Sequence, residues 1–211
     1  MEHIRAQLAE RVRDAVVNEM PLEILGGGSK AFYGYPVSGD PLDVNPYCGV
    51  VEYEPSELVI SVRAGTPLRE VESILAENKQ MLPFEPPHFG DNATIGGCVA
   101  TGLSGPARAY RGSVRDFVLG VRIIDGLGRD LRFGGKVIKN VAGYDASRLM
   151  TGALGTLGVI TEISFKVLPL PIVEETLQFD MAAGNAIEQM NRWAAQPLPL
   201  SATYHAGDRF W

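Results

Sequence analysis

Between Pro86 and Asp116 the chain reads PPHFGDNATIGGCVATGLSGPARAYRGSVRD, and no long helical or strand repeat accounts for that stretch. It holds six glycines (Gly90, Gly96, Gly97, Gly102, Gly105, Gly112), few bulky apolar side chains, and arginines crowded toward its end. Without a Cβ, glycine lets main-chain N–H groups come close to a ligand and take positive φ. The residues between are small or hydroxyl-bearing (Ala93, Thr94, Ala100, Thr101, Ser104). Such a surface suits a flat ring or a diphosphate, held mainly by backbone donors. A plain loop of this length without function is uncommon in a compact domain.

Charge and cysteine usage narrow the alternatives. The net charge of −6 argues against a general nucleic-acid binder, which needs a basic face. An anionic ligand must therefore be held by local dipoles and a few placed cations. Two cysteines, Cys48 and Cys98, are too few for an iron–sulfur cluster or a structural zinc site, and read as reduced thiols of an intracellular protein. No apolar run approaches the ~18 residues that a membrane span requires.

Taken in order, Ile4, Leu8, Val12, Ala15 and Val16 recur at helical spacing, and Pro21 closes that helix. Leu22–Leu25 is a short apolar strand running into Gly26-Gly27-Gly28-Ser29-Lys30, a turn suited to phosphate. Neither G-x-x-x-x-G-K-[ST] nor G-x-G-x-x-G occurs, so a Walker loop and a Rossmann fingerprint are absent. Tyr33 to Cys48 reads as irregular loop. Glu57 to Arg63 alternates as a half-buried strand, with Leu58, Ile60 and Val62 on one face. Thr66-Pro67 then caps a scaffold helix with Leu68, Val71, Ile74 and Leu75 inward. Phe117–Ile124 and Asp130–Phe133 form a hairpin about Asp125–Gly128. Lys139 to Leu154 reads as loop then helix, with Tyr144, Leu149 and Met150 inward. Gly155–Gly158 turns into a strand from Val159 to Leu168, which Pro169 and Pro171 end. Beyond Ile172 one β-α-β step is expected: Glu174–Asp180, Ala186–Ala195 (Ile187, Met190, Trp193 and Ala194 inward) and Ser201–His205.

Three elements in this order, GGGSK after a strand, ATIGGCVATGLSGPARAYRGSVRDFVLGVRIID, and KNVAGYDASRLMTGALGTLGVITEISFKVLP, resemble the FAD-binding domain of vanillyl-alcohol oxidase and p-cresol methylhydroxylase-type flavoproteins. Within that superfamily the wording is most similar to the FAD-binding E subunits of bacterial glycolate oxidase. The resemblance implies an α+β fold: a two-lobed FAD-binding domain over residues 1–171, then the first part of a cap domain over 172–211. It also implies the cofactor contacts. Gly26, Gly27, Gly28, Ser29 and Lys30 would hold the pyrophosphate. Pro86, Gly90, Asp91, Thr94, Ile95, Gly96 and Gly97 would line the flavin and ribityl chain. Thr101, Gly102, Ser104, Gly105 and Arg108 would continue that wall, and Gly158, Val159 and Ile160 would add main-chain hydrogen bonds. On this view a carboxylate at Gly27 intrudes on the diphosphate and leaves the fold intact.

The departures are informative. Relatives with covalent FAD often carry histidine in the first loop, where this chain has Ser29-Lys30, so noncovalent FAD is expected. His88 and Cys98 flank the flavin region with packing roles. Arg111-Gly112 stands where catalytic D-type subunits usually have Tyr-Gly, and Leu154 where they tend to have Glu. The family's substrate-binding histidines and arginine belong to a cap of which only the first step is present. No catalytic base and no metal ligand set is identifiable. The implied function is an FAD-binding, FAD-dependent oxidoreductase subunit that oxidises glycolate or D-lactate to the 2-oxo acid. Its partners would be a catalytic D-type flavoprotein subunit and an iron–sulfur subunit, in the cytoplasm or at the inner face of the membrane through that complex. A noncatalytic FAD-binding partner and a self-sufficient flavin oxidase or reductase are the competing readings.

Overall fold

The computed structural model describes residues 1–36, 38–135, 144–207 and 209–210. The expected loop over 139–143 lies outside them. Helix α1 (Glu2–Val17) opens the chain and buries Leu8, Ala9, Val12 and Ala15, whereas Val16 is exposed. Val16 follows Ala15 by one residue, 100° around the helix, and so leaves the buried stripe. Strand β1 (Leu22–Leu25) pairs in parallel with β2 (Asp40–Asp43). The Tyr33–Cys48 segment is therefore not wholly irregular: DPLD carries one buried apolar residue, Leu42, and pairing with β1 makes it a strand.

Strands β3 (Val50–Glu54) and β4 (Val59–Arg63) are joined by a short 3₁₀ turn over Pro55–Glu57. Leu58 sits in that corner with φ 56°, outside the strand, and β4 is buried on both faces, with β3 and β8 paired along its edges. Helix α2 (Leu68–Glu77) follows, and Thr66 does not cap it. The Thr66 hydroxyl instead donates to Arg63 O at 2.7 Å and accepts from the Gly49 amide at 2.9 Å. After β5 (Gln80–Met81) come three short helices, α3 (Ile95–Thr101), α4 (Arg108–Arg111) and α5 (Val114–Phe117). The hairpin β6 (Val118–Ile124) and β7 (Asp130–Gly134) stands as expected.

Helix α6 is one turn, Ala146–Leu149, capped by the Asp145 carboxylate. Ser147 and Met150, three residues apart, face inward, so Tyr144 and Leu149 are exposed, contrary to expectation. Strand β8 (Val159–Lys166) completes a five-stranded antiparallel sheet in the order β3-β4-β8-β6-β7, and β9 (Leu168–Pro169) pairs with β5. In the tail, β10 (Phe179–Asp180), α7 (Ala183–Ala194), β11 (His205–Ala206) and β12 (Arg209–Phe210) form one small layer. The tail strands are shorter than the sequence suggests. On α7, Ala186 is fully buried while Ile187 and Ala194 are exposed, because each follows by one residue, 100° around the helix, a member of the inward Ala186, Met190 and Trp193 stripe.

One core runs from α1 through the five-stranded sheet to α2 and α3, with Tyr47, Phe84, Phe165, Ile60, Leu68 and Ile163 wholly inside. A charged network ties α1 to the sheet: Arg5 contacts Asp130 at 2.9 Å and donates to Tyr47 Oη at 3.1 Å, while Arg122 reaches Asp130 at 2.7 Å. Burial opposes ionisation of Asp130, but Arg122 and Arg5 outweigh it and hold the carboxyl below its ordinary value. A depressed folded-state pKa adds stability that is fully present above the unfolded value, about 3.9, and is lost as pH falls through the lower folded value. Asp130→Asn should thus cost ~2 kcal/mol near neutrality and progressively less as the solution is acidified below the unfolded value, as read by urea unfolding along a pH series.

Candidate functional site

Beyond β1 the chain turns through Gly26–Lys30, and the rest of the protein fastens this turn on one side. The Asn45 side chain donates to Gly26 O at 3.0 Å, and the Asn92 side-chain amide donates to Gly27 O. A Cβ on Gly27 would lie 1.4 Å from Asn92 O. Gly27 is glycine because the first and second motifs touch there, which corrects the expectation that a side chain at this position would meet only ligand. The open side lies at Gly28, which has φ +67° and no atom within 4 Å of its would-be Cβ. Among the described residues, the amides of Gly27, Gly28, Ser29 and Lys30 donate to no protein acceptor. Lys30 is only 8% exposed. Its ammonium lies 5.9 Å from the centroid of Phe89, and burial holds it below the usual lysine value.

In the second motif Thr94 N-caps α3 and accepts from the Gly97 amide at 3.2 Å. The Ile95 amide donates to Thr66 O and the Gly96 amide to Ala64 O, while a Cβ on Gly96 would meet Ala64 Cβ at 2.7 Å. The start of α3 therefore faces the protein: Ile95 and Gly96 are buried, and the glycine serves close packing. Gly97, Thr101 and Gly102 stay partly open, with the Thr101 hydroxyl donating back to Gly97 O at 2.9 Å and Gly102 ending the helix at φ 67°. Gly90 and Asp91 are exposed, Asp91 lying 3.6 Å from Arg69, and Pro86 is buried. Further along, the Ser104 hydroxyl accepts from the Val114 amide at 3.0 Å and Gly105 packs on Glu85, while Arg108 is exposed.

The third motif closes on the same region. The Gly152 amide donates to Val99 O at 3.0 Å and the Leu154 amide to Ala100 O at 2.9 Å. A Cβ on Gly155 would meet Ile24 of β1 at 2.9 Å, and one on Gly102 would meet Gly152 at 3.1 Å. Gly158, at φ +140°, leads into Val159 and Ile160, which pair with Ile124 and Ile123 of β6. The pairing of β8 with β4 begins only at Glu162, so the opposite edge of Val159 and Ile160 has no strand beside it among the described residues.

Fold and glycine turn together define the class. Amides without a protein acceptor among the described residues, a lysine in the same turn and an open glycine face fit the diphosphate of a dinucleotide. The chain belongs to the FAD binding domain family, whose model matches residues 4–134, and its cofactor is FAD. It is 53% identical over 204 residues to "Glycolate oxidase subunit GlcE" of Escherichia coli (strain K12), covering 97% of this chain and 58% of that protein. It is also 34% identical over 129 residues to "Glycolate oxidase subunit GlcD" of Bacillus subtilis (strain 168), covering 61% of this chain and 27% of that one. Among solved structures, an alkyldihydroxyacetonephosphate synthase superposes with a TM-score of 0.69 at 24% identity, covering 88% of this chain and 35% of that one, which establishes the fold alone.

Sequence reasoning missed Phe89, Phe32 and Asn92. Phe89 is exposed with φ 50°, and its ring meets Phe32 edge-on at 5.0 Å between centroids. An apolar side chain held both left-handed and in solvent is a signal that only coordinates reveal. Neither Cys98 nor His88 is poised for attachment. Burial pushes the Cys98 thiol up to about 12, and His88 pairs with Glu72 at 3.0 Å. Cys48 is likewise a free thiol. Among the described residues no cluster of His, Cys, Asp or Glu is arranged to hold a metal, and no helix is long and apolar enough to cross a membrane.

Proposed function

We propose that this chain is the FAD-binding part of a glycolate oxidase-type complex that converts a small 2-hydroxy acid, glycolate or D-lactate, to the 2-oxo acid. The 53% identity with a glycolate oxidase subunit over nearly the whole chain carries this reading. The partners would be a catalytic D-type flavoprotein subunit and an iron–sulfur subunit, in the cytoplasm or at the inner face of the membrane. Bound FAD supplies the hydride acceptor. This chain's part is to hold it: Gly27 to Lys30 at the diphosphate, Gly97, Thr101 and Gly102 along the wall, and the free edge of Val159 and Ile160 toward the ring. Residues 1–171 would form this module and 172–211 the start of a cap. The tail packs on the module through α4, with Arg111 donating to Ser201 at 3.0 Å and Tyr110 Oη lying 3.1 Å from Thr203 Oγ1.

A second reading makes this a noncatalytic FAD-binding partner. It is favoured by the engagement of Arg111 with Ser201 and Glu174, which occupies a cation that a substrate carboxylate would require. FAD would be noncovalent under either reading, since the first loop has Ser29-Lys30 and the Cys98 thiol is buried and protonated. Acid precipitation of the purified holoprotein should leave all the flavin in the supernatant. Yellow colour retained by the pellet would refute noncovalent attachment.

A further inference from the structure

Residues 88–92 run beside the first glycine turn and belong to no helix or strand. On one side they touch both flanks of the open Gly28: the Asn92 side-chain amide donates to Gly27 O, and the Phe89 ring lies under the Lys30 ammonium at 5.9 Å. Phe89 also meets Phe32 edge-on at 5.0 Å. On the other side the segment meets α2 at two points of matched spacing. His88 Nε2 lies 3.0 Å from Glu72 Oε2, and Asp91 Oδ1 lies 3.6 Å from Arg69 Nη1. Arg69 and Glu72 are three residues apart and so neighbours on the helix surface, just as His88 and Asp91 are three apart in the segment. The backbone between these points does not favour its shape unaided. Phe89 has φ 50° and Gly90 φ 119°, and Glu85, on the approach, has φ 46°. Left-handed backbone is disfavoured for a residue with a Cβ, most of all a bulky one, so the surroundings must hold it there.

We propose that residues 88–92 are a strap that closes beside the bound dinucleotide, and that Arg69 and Glu72 of α2, which latch it through Asp91 and His88, are positioning residues that slow the release of FAD. This rests on the reading of Gly26–Lys30 as the diphosphate turn. No protein atom lies within 4 Å of the Cβ position of Gly28, so a ligand seated there leaves through a gap whose two margins the strap contacts. With the latch broken, the disfavoured backbone at Phe89 relaxes and the strap swings clear more often. Both pairs are exposed to solvent, so each contributes modestly and is weakened by salt. The rate of FAD release reads the opening of the strap directly.

Flavin-loaded wild type, Glu72→Ala, Arg69→Asp and the swapped Arg69→Asp/Asp91→Arg chain are diluted, and FAD release is followed by flavin fluorescence. Hydrogen exchange at residues 88–92 and the melting temperature are measured on the same proteins without flavin. Glu72→Ala and Arg69→Asp should each speed release and exchange about 2- to 5-fold, and the swap should return both to within about 2-fold of wild type. The melting temperature should stay where it is, because both pairs lie on the surface. Unchanged release in the two single variants would overturn the proposal, and so would a swap that fails to restore it. A melting temperature lowered in step with faster release would make Arg69 and Glu72 general scaffold and not a latch. A wild type that retains no FAD, while exchange still rises in the variants, would sink the reading of the turn and not the latch.

Discussion

Gly27→Ala is expected to destabilise the flavin-free protein by about 3 kcal/mol or more and to abolish FAD retention. The added methyl would lie 1.4 Å from the main-chain oxygen of Asn92, so either the turn or the Asp91–Ala93 segment must move. A displacement of that kind separates the first motif from the second, and domains of this size have only ~5–15 kcal/mol to lose. Gly28→Ala is the contrasting variant. Its Cβ meets no atom within 4 Å, and φ +67° costs an L-residue about 1–2 kcal/mol, so the fold should survive. Because that Cβ points into the open side of the turn, FAD affinity should still fall at least tenfold. Chemical unfolding of the flavin-free proteins and FAD titration together read both effects. Equal behaviour of the two variants would show that the open side of Gly28 is not where the cofactor lies.

The isolated chain, saturated with FAD, should turn over glycolate and D-lactate at least ~10²-fold more slowly than a mixture reconstituted with a D-type flavoprotein and an iron–sulfur subunit. A substrate carboxylate requires a positioned cation and its hydroxyl a base within hydrogen-bond reach. Arg111 is committed to Ser201 and Glu174 of the tail. Arg108 is exposed, and a guanidinium cannot take up a proton near neutrality. Steady-state dye reduction with each substrate tests this. Robust turnover by the isolated chain that is lost in His88→Ala would make the protein a self-sufficient enzyme.

Local pattern was enough for much of this protein. Alternation along Val159–Lys166, the turn at Asp125–Gly128 and the 3.6-residue stripe of α2 are properties of consecutive residues, so the elements that build the antiparallel sheet were legible. The same holds for GGGSK after a short strand, and for a glycine-rich stretch whose wording matched a flavoprotein family. Strand β2 was not legible, because DPLD owes its conformation to the neighbouring β1. Neither were the roles of individual glycines. Gly27 and Gly96 lack side chains because Asn92 and Ala64, distant in sequence, occupy the space, whereas Gly28 faces an open one. Which amides lack a protein acceptor among the described residues and where Phe89 comes to rest were decided only by tertiary packing. Each depends on what long-range contacts place beside a residue, and a one-dimensional pattern does not encode the distance between segments that meet only when the chain is folded.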